Sequence, residues 1–303
     1  MIGRIVEIAE DRRHLSVDRG FLVVRAGADE VGRVPLDDIA AVIANAHGIT
    51  YTNNLLVSLA ARNAPFVICG PNHAPAGLLW PVEGNHRQAA RMDAQIAAPP
   101  ALRRRLWRDI VRAKLSFQAD ALARVGRPPA PVAALVAKVK PGDPDNLEGL
   151  AARRYWALMF GPAFRRDRKG GGANAQLNYG YTVLRSAVAR AVMGAGLHPT
   201  LAIHHRNRGN PMRLVDDLME PFRALVDLAV LQLQEEGETE VTPAVKRTLA
   251  NVPYWDLHSR AGTTPLMTCL ERLTSSLGQI YEGERNTLDM PRLAPADAAE
   301  RVA

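Results

Sequence analysis

Over roughly the first eighty residues, apolar and polar positions alternate with a period of two. Arg4-Ile5-Val6-Glu7-Ile8 and His14-Leu15-Ser16-Val17-Asp18 each predict a half-buried strand, because successive strand side chains point to opposite faces. Asp18-Arg19-Gly20 is a turn signal ahead of the apolar run Phe21-Leu22-Val23-Val24. Gly32-Arg33-Val34-Pro35 and Ala40-Ala41-Val42-Ile43 continue the series, and Pro65-Phe66-Val67-Ile68-Cys69 reads as a buried strand. Between the last two, Thr52 to Ala61 combines a capping residue with apolar positions at helical spacing, so one helix is expected among the strands. Gly70-Pro71-Asn72 and the stretch from Pro81 to Asn85 read as loops.

From about Arg87 the period lengthens to that of a helix. Ala101 to Val125 carries Leu102, Leu106, Trp107, Ile110, Val111, Leu115 and Phe117, set against a basic side of Arg103, Arg104, Arg105, Arg108 and Arg112. Pro128, Pro129 and Pro131 break it. Further helices are predicted over Asn146 to Phe160, Gln176 to Met193, Leu214 to Gln234, Pro243 to Ala250 and Pro265 to Tyr281, with a Pro/Ala-rich tail after Asn286 expected to fray. The pattern is α+β. It divides into a β-rich N-terminal domain over 1–84, a linker and the start of the first helix over 85–100, and a larger all-helical domain over 101–303.

Composition narrows the class. A chain of 303 residues with 47% apolar content can bury a sizeable core, and no apolar run approaches the ~20 residues needed to span a bilayer. The alternating, acid-bearing N-terminus reads as a strand and not as a signal peptide. The two cysteines, Cys69 and Cys269, exclude a disulfide framework or a Cys-based zinc site and fit a reducing cytoplasm. The formal charge of +7 contains only five lysines among 38 basic residues, so arginine carries nearly all of it. Guanidinium forks grip phosphate oxygens bidentately, which makes a polyanionic partner such as DNA the natural class to test against a bias of overall composition.

Three segments place acids and histidines inside apolar stretches. Asp145-Asn146-Leu147-Glu148-Gly149 admits two readings, a capping box of Asp145 and Glu148 or a carboxylate on a surface of small residues that something can approach closely. Ala202-Ile203-His204-His205-Arg206-Asn207-Arg208 puts imidazole and guanidinium together, and adjacent side chains on extended backbone diverge, so at most one His should face a site. In Asp216-Asp217-Leu218-Met219-Glu220-Pro221-Phe222, Asp217 and Glu220 share a helical face, an arrangement that is stable when a cation sits between them. Pro221 removes the amide that would bond the Asp217 carbonyl, which predicts a kink or a helix start at the acids. Glu148, a histidine and Glu220, supported by Asp217, form an oxygen-rich set with one nitrogen, which suits Mg2+ or Mn2+ better than a structural zinc. Arg206 and Arg208, together with Arg165-Arg166-Asp167-Arg168-Lys169 ahead of a triglycine expected to be a mobile loop, are the candidate phosphate contacts.

These residues carry a resemblance to the CRISPR-associated integrases of spacer acquisition, the first-numbered Cas protein, and to their type II branch in particular. It rests on Glu148-Gly149 with Ala151, Ala152 and Tyr155, and on Leu177-Asn178-Tyr179-Gly180-Tyr181 with Leu184-Arg185. Ile203-His204-His205-Arg206-Asn207 and Asp216-Asp217-Leu218-Met219-Glu220-Pro221-Phe222-Arg223 complete the C-terminal match. Looser agreement extends through His14-Leu15-Ser16, Val34 to Ile39 and His73-Ala74-Pro75-Ala76-Gly77.

The resemblance implies an N-terminal dimerisation domain, a homodimer, and a metal triad of Glu148, His205 and Glu220 supported by Asp217. His205 is favoured over His204 because the family's ligand follows a Gly-apolar-apolar approach, here occupied by Ala202-Ile203-His204. It further implies metal-dependent strand transfer that inserts short DNA fragments as new spacers in antiviral defence. The implied partners are the small second Cas protein and, in type II systems, the effector nuclease and an accessory adaptation protein, with double-stranded DNA as substrate and no membrane. The residues themselves leave two other readings open: a metal-dependent nuclease outside CRISPR immunity, and a non-catalytic dimeric DNA-binding scaffold.

Overall fold

A computed structural model of the protein describes residues 4–70, 75–79, 81–82 and 84–293. The loop positions Pro71, Asn72 and Glu83, the His73-Ala74 portion of the N-terminal resemblance and the tail beyond Leu293 lie outside the described residues.

The N-terminal part holds two four-stranded sheets. One has the order β1 (Arg4–Ile8), β5 (Ile39–Ala44), β7 (Phe66–Cys69), β8 (Pro75–Leu79), with β1, β5 and β7 mutually parallel and β8 antiparallel. The other has the order β4 (Asp29–Pro35), β3 (Phe21–Ala26), β2 (Arg13–Asp18), β6 (Thr50–Tyr51). Helix α1 (Asn53–Ala60) starts at Thr52, whose side chain accepts from the Leu55 amide, and packs Leu55 and Leu59 into a core with Leu15, Leu22, Ile39 and Phe66. Every residue of β5 is buried. A central parallel strand covered on both faces has no polar side to show, which is why this strand reads as continuously apolar.

Helices dominate the rest: α2 (Gln88–Ala97), α3 (Pro100–Arg124), α4 (Ala130–Val136), α5 (Leu147–Phe160), α6 (Ala173–Gly194), α7 (Arg213–Met219), α8 (Arg223–Glu235), α9 (Pro243–Ala250) and α10 (Leu266–Tyr281). The C-terminal part is not all helical, because a hairpin of β9 (Asp256–Ser259) and β10 (Gly262–Pro265) precedes α10. The stretch 85–100, read as a linker and the start of the first helix, contains the ten-residue α2, whose buried Arg91 donates to the Ala195 carbonyl at 2.6 Å. The expected fraying after Asn286 does not begin there. Arg292 pairs with His258 of the hairpin through two backbone hydrogen bonds, and Leu288 and Leu293 are buried. No helix among the described residues is long and apolar enough to cross a membrane.

Polar contacts tie the two parts together. Glu7 on β1 accepts from the Tyr179 hydroxyl at 2.5 Å and from Lys246 Nζ at 3.1 Å, and the Ile5 amide donates to the Tyr254 hydroxyl.

At Gly180 the fold explains a sequence motif. A Cβ there would sit 2.5 Å from Val226 Cγ1, so glycine lets α6 and α8 approach closely. Val226 is fully buried and β-branched, hence stiff in a helix. Gly180→Ala is expected to lower stability by about 1–3 kcal/mol despite the better helix propensity of alanine, read as a reduced denaturation midpoint; an unchanged midpoint would mean the contact relaxes freely.

Candidate active site

Four elements converge on one buried charged cluster. Helix α3 presents Trp107, Ile110, Val111, Lys114 and Gln118 on its buried side, so a lysine stands in a register otherwise taken mainly by apolar residues. Its Nζ lies 2.6 Å from Glu148 Oε1 and 2.6 Å from Glu220 Oε2. Burial works against the ammonium, but Glu220 and Glu148 outweigh it and the Lys114 pKa is raised.

Glu148 comes from the first turn of α5. The helix starts at Asn146, in left-handed conformation at φ +49°, whose Oδ1 accepts from the Gly149 amide. Asp143 accepts the amides of Leu147 and Glu148, both at 2.9 Å. The capping reading of Asp145 and Glu148 is therefore replaced: Asp145 sits outside, 3.3 Å from Lys140, and the Glu148 side chain points to Lys114. Gly149 leaves room for the cap, because a Cβ there would fall 2.8 Å from the Asn146 side-chain Oδ1 and push it aside.

Glu220 stands where the long predicted helix breaks. Pro221 divides it into α7, a 3-10 turn over Glu220–Phe222, and α8, as its missing amide requires. Glu220 Oε1 is also 3.0 Å from Arg223 Nε, an ion pair too oblique for a hydrogen bond. Burial pushes the Glu220 carboxyl up, but Arg223 and Lys114 prevail and hold it down at about 2.

Asp217 turns to the histidine loop. Its fully buried carboxylate accepts the amides of Ile203 at 2.7 Å, His204 at 3.0 Å and His205 at 3.2 Å, and pairs with His205 Nδ1 at 2.6 Å. A carboxylate can only accept here, so Nδ1 carries a proton, and whenever the ring is neutral Nε2 keeps its lone pair. The Asp217 hydrogen bond raises the His205 pKa against its burial. As expected, the two histidines diverge. The His204 ring stacks on Trp107 at 4.2 Å and 3°, while His205 stands at 77° to it. His205 and Glu220 each favour the other's charged form.

Behind Glu220 lies a second layer. Arg223 covers the Tyr181 ring at 4.4 Å, and the hydroxyls of Tyr181 and Tyr155 both donate to buried Asp227. Desolvation raises the Asp227 carboxyl to about 6, opposed by the two tyrosines, Arg223 and Arg166. An acid whose folded pKa exceeds its ordinary 3.8 costs stability as pH rises from about 4 to 6, and the penalty is complete above that. Relative to the parent protein, Asp227→Asn is expected to gain up to about 3 kcal/mol across this window in urea unfolding; parallel pH profiles would contradict the burial argument.

The six predicted phosphate contacts fall into two sets. Arg206 and Arg208 are exposed beside His205, and Arg165, Arg168 and Lys169 are exposed on the loop before α6. Arg166 instead faces inward, donating to Asn174 Oδ1, Asn178 Oδ1 and the Asp167 carbonyl. The basic tract ahead of the triglycine is held to α6, because Asn174 and Asn178 donate to the carbonyls of Arg165 and Arg168.

Among the described residues, no three His, Cys, Asp or Glu side chains are already gathered as a metal cage. The donor chemistry nevertheless fits a divalent ion. Two carboxylates from separate elements meet at one cationic atom, and an imidazole close by has its Nδ1 committed to a carboxylate.

The family described as "CRISPR associated protein Cas1" matches residues 6–248. The CRISPR-associated endonuclease Cas1 of Neisseria meningitidis serogroup C (strain 8013) is 32% identical over 286 residues, covering 93% of each chain. A solved casposase bound to integration product superposes with TM-score 0.78 at 18% identity, over 99% of this chain and 98% of that one. A chain of a partial Cas6-RT-Cas1–Cas2 complex gives TM-score 0.61 at 17% identity, over 95% and 98%.

Proposed function

Because the chain belongs to the Cas1 family of CRISPR-associated proteins, we propose that it is a metal-dependent DNA endonuclease and integrase of CRISPR adaptation, acting in the cytoplasm as a homodimer. The observation that carries this reading is the meeting of Glu148 and Glu220 at one cationic point, with His205 held beside it by Asp217. Mg2+ or Mn2+ bound by Glu148, His205 and Glu220 would supply Lewis acidity at a phosphodiester. In the reaction, the 3′-hydroxyl of a short fragment gives up its proton as its oxygen bonds to phosphorus at the repeat boundary. The bridging 3′-oxygen of the array strand leaves and takes up a proton, so one phosphodiester replaces another.

The chain's own residues position these groups. Asp217 fixes the His205 ring and its loop. Arg185 clamps Asp216 through two contacts of 2.7 and 3.0 Å and also binds Asn210, closing the far end of that loop. Arg206 and Arg208 lie at the rim to take phosphates, with Arg165, Arg168 and Lys169 along the neighbouring loop. A cleft of about 590 Å³ beside Leu147, lined by Arg108, Arg112, Lys138 and Lys140, offers a second basic surface for DNA. The small second Cas protein is the proposed partner, in line with the Cas1–Cas2 complex among the structural neighbours. The type II effector nuclease and its accessory adaptation protein are further proposed partners, resting on the sequence motifs alone.

The test is joining of a labelled fragment into a supercoiled plasmid carrying the repeat array. Mn2+-dependent insertion at the repeat boundary is expected; degradation without joining would favour a general nuclease, and metal-independent joining would overturn the assignment.

A further inference from the structure

We infer that Lys114 is a resident counter-ion of the active site, which holds Glu148 and Glu220 together without metal and must leave when a divalent ion enters. This rests on the proposed reading of Glu148, His205 and Glu220 as the metal-binding set. The ammonium is 2.6 Å from an oxygen of each carboxylate, where a compact cation shared by the pair belongs. Glu220 is buried with only 8% of its side chain exposed, so without this cation it would face the Glu148 carboxylate with little water of its own to screen the pair. Arg223 balances Glu220 from its other oxygen, and Lys114 is the cation in contact with both carboxylates. The stem rises from the middle of the 25-residue α3, flanked by buried Val111 and Leu115, so the ammonium is delivered by a rigid element and not by a loop.

Two cations cannot both lie at contact distance from the same two oxygens without strong repulsion. Metal entry and retention of the ammonium are therefore alternatives. Lys114 keeps the apo site assembled and charge-balanced, at the cost of weaker metal binding. Lysine suits this part because its four-carbon stem is flexible and its ammonium is a point charge with no fixed fork to withdraw.

The experiment measures Mn2+ binding to the full-length protein by calorimetry and by loss of the free-ion EPR signal, with melting followed in EDTA and in Mn2+. Lys114→Met is expected to bind Mn2+ about tenfold more tightly than the parent protein. It should melt several degrees lower in EDTA and recover that loss in Mn2+. Lys114→Arg, whose fork grips two carboxylates more firmly, is expected to bind Mn2+ more weakly than the parent. Equal or weaker Mn2+ binding by Lys114→Met overturns the inference, as does a melting loss that Mn2+ does not reverse, which marks a packing role only. If Lys114→Met does not fold, Lys114→Arg decides alone, and Mn2+ binding equal to or tighter than the parent overturns the inference. Glu148→Ala and His205→Ala separate the two proposals. If they leave Mn2+ binding intact, the metal assignment itself fails; if they abolish it while Lys114→Met changes nothing, only the role of Lys114 fails.

Discussion

His205→Ala is expected to fold normally and to lose integration by more than about 100-fold. The size follows from removing a proposed ligand, since loss of groups that merely orient ligands already costs roughly 10- to 100-fold. Folding should survive because the ring is 38% exposed and the loop that carries it is held by backbone amides, those of Ile203, His204 and His205, bonded to Asp217. DNA affinity should change little, as Arg206 and Arg208 remain. The measurement is fragment joining beside a gel-shift titration and a melting curve. Retained joining would remove His205 from the site, and a collapse in melting temperature would make its part structural.

The second large effect is at Asp217. Asp217→Ala removes one acceptor pair that serves three amides and an imidazole, leaving buried donors without partners at about 1–3 kcal/mol for each group that water cannot reach. A loss of about 3 kcal/mol or more in unfolding free energy is expected, together with loss of joining. Asp217→Asn separates the two effects. An amide nitrogen facing His205 Nδ1 would donate to it, shifting the ring proton to Nε2 and blocking that atom as a ligand. Asn should therefore keep more of the stability than Ala and still fail in Mn2+-dependent joining. An Asn variant active at the parent level would show that the tautomer of His205 is immaterial.

Much of this architecture was written in local pattern. The alternation over Arg4–Ile8 and Arg13–Asp18, the cap at Thr52 and the helical runs now seen as α3, α5, α6, α9 and α10 are short-range signals that burial respects. The break at Pro221 followed from one missing amide. What the pattern hid was set by tertiary context. The helical period from Arg87 was legible, but the break that separates α2 from α3 at Ala98-Pro99 was not resolved from it, and the hairpin before α10 is too short to show a period. The tail over 287–293 is held by pairing with His258, a partner about thirty residues away.

The same division runs through the site. Glu148, Asp217, Glu220 and the histidine pair were visible because acids and imidazoles inside apolar stretches are conspicuous, and family likeness separated His205 from His204. Asn146 outcompeted Asp145 as the cap because its αL backbone places the side chain over the Gly149 amide, which residue type alone does not reveal. Lys114 and Asp227 carried a fainter sign, each being a charge in the buried register of a helix. Their partners lie on other elements, so only the folded chain names them. Arg166 looked like its neighbours in a basic run, and its inward turn depends on Asn174 and Asn178 a turn or two into α6.

The most direct test of the central claim is anomalous scattering from crystals grown with Mn2+. One strong peak bonded to Glu148, Glu220 and Nε2 of His205, with the Lys114 ammonium moved away, is the predicted result. A peak elsewhere, or none while Lys114 still joins the two glutamates at saturating Mn2+, would contradict it.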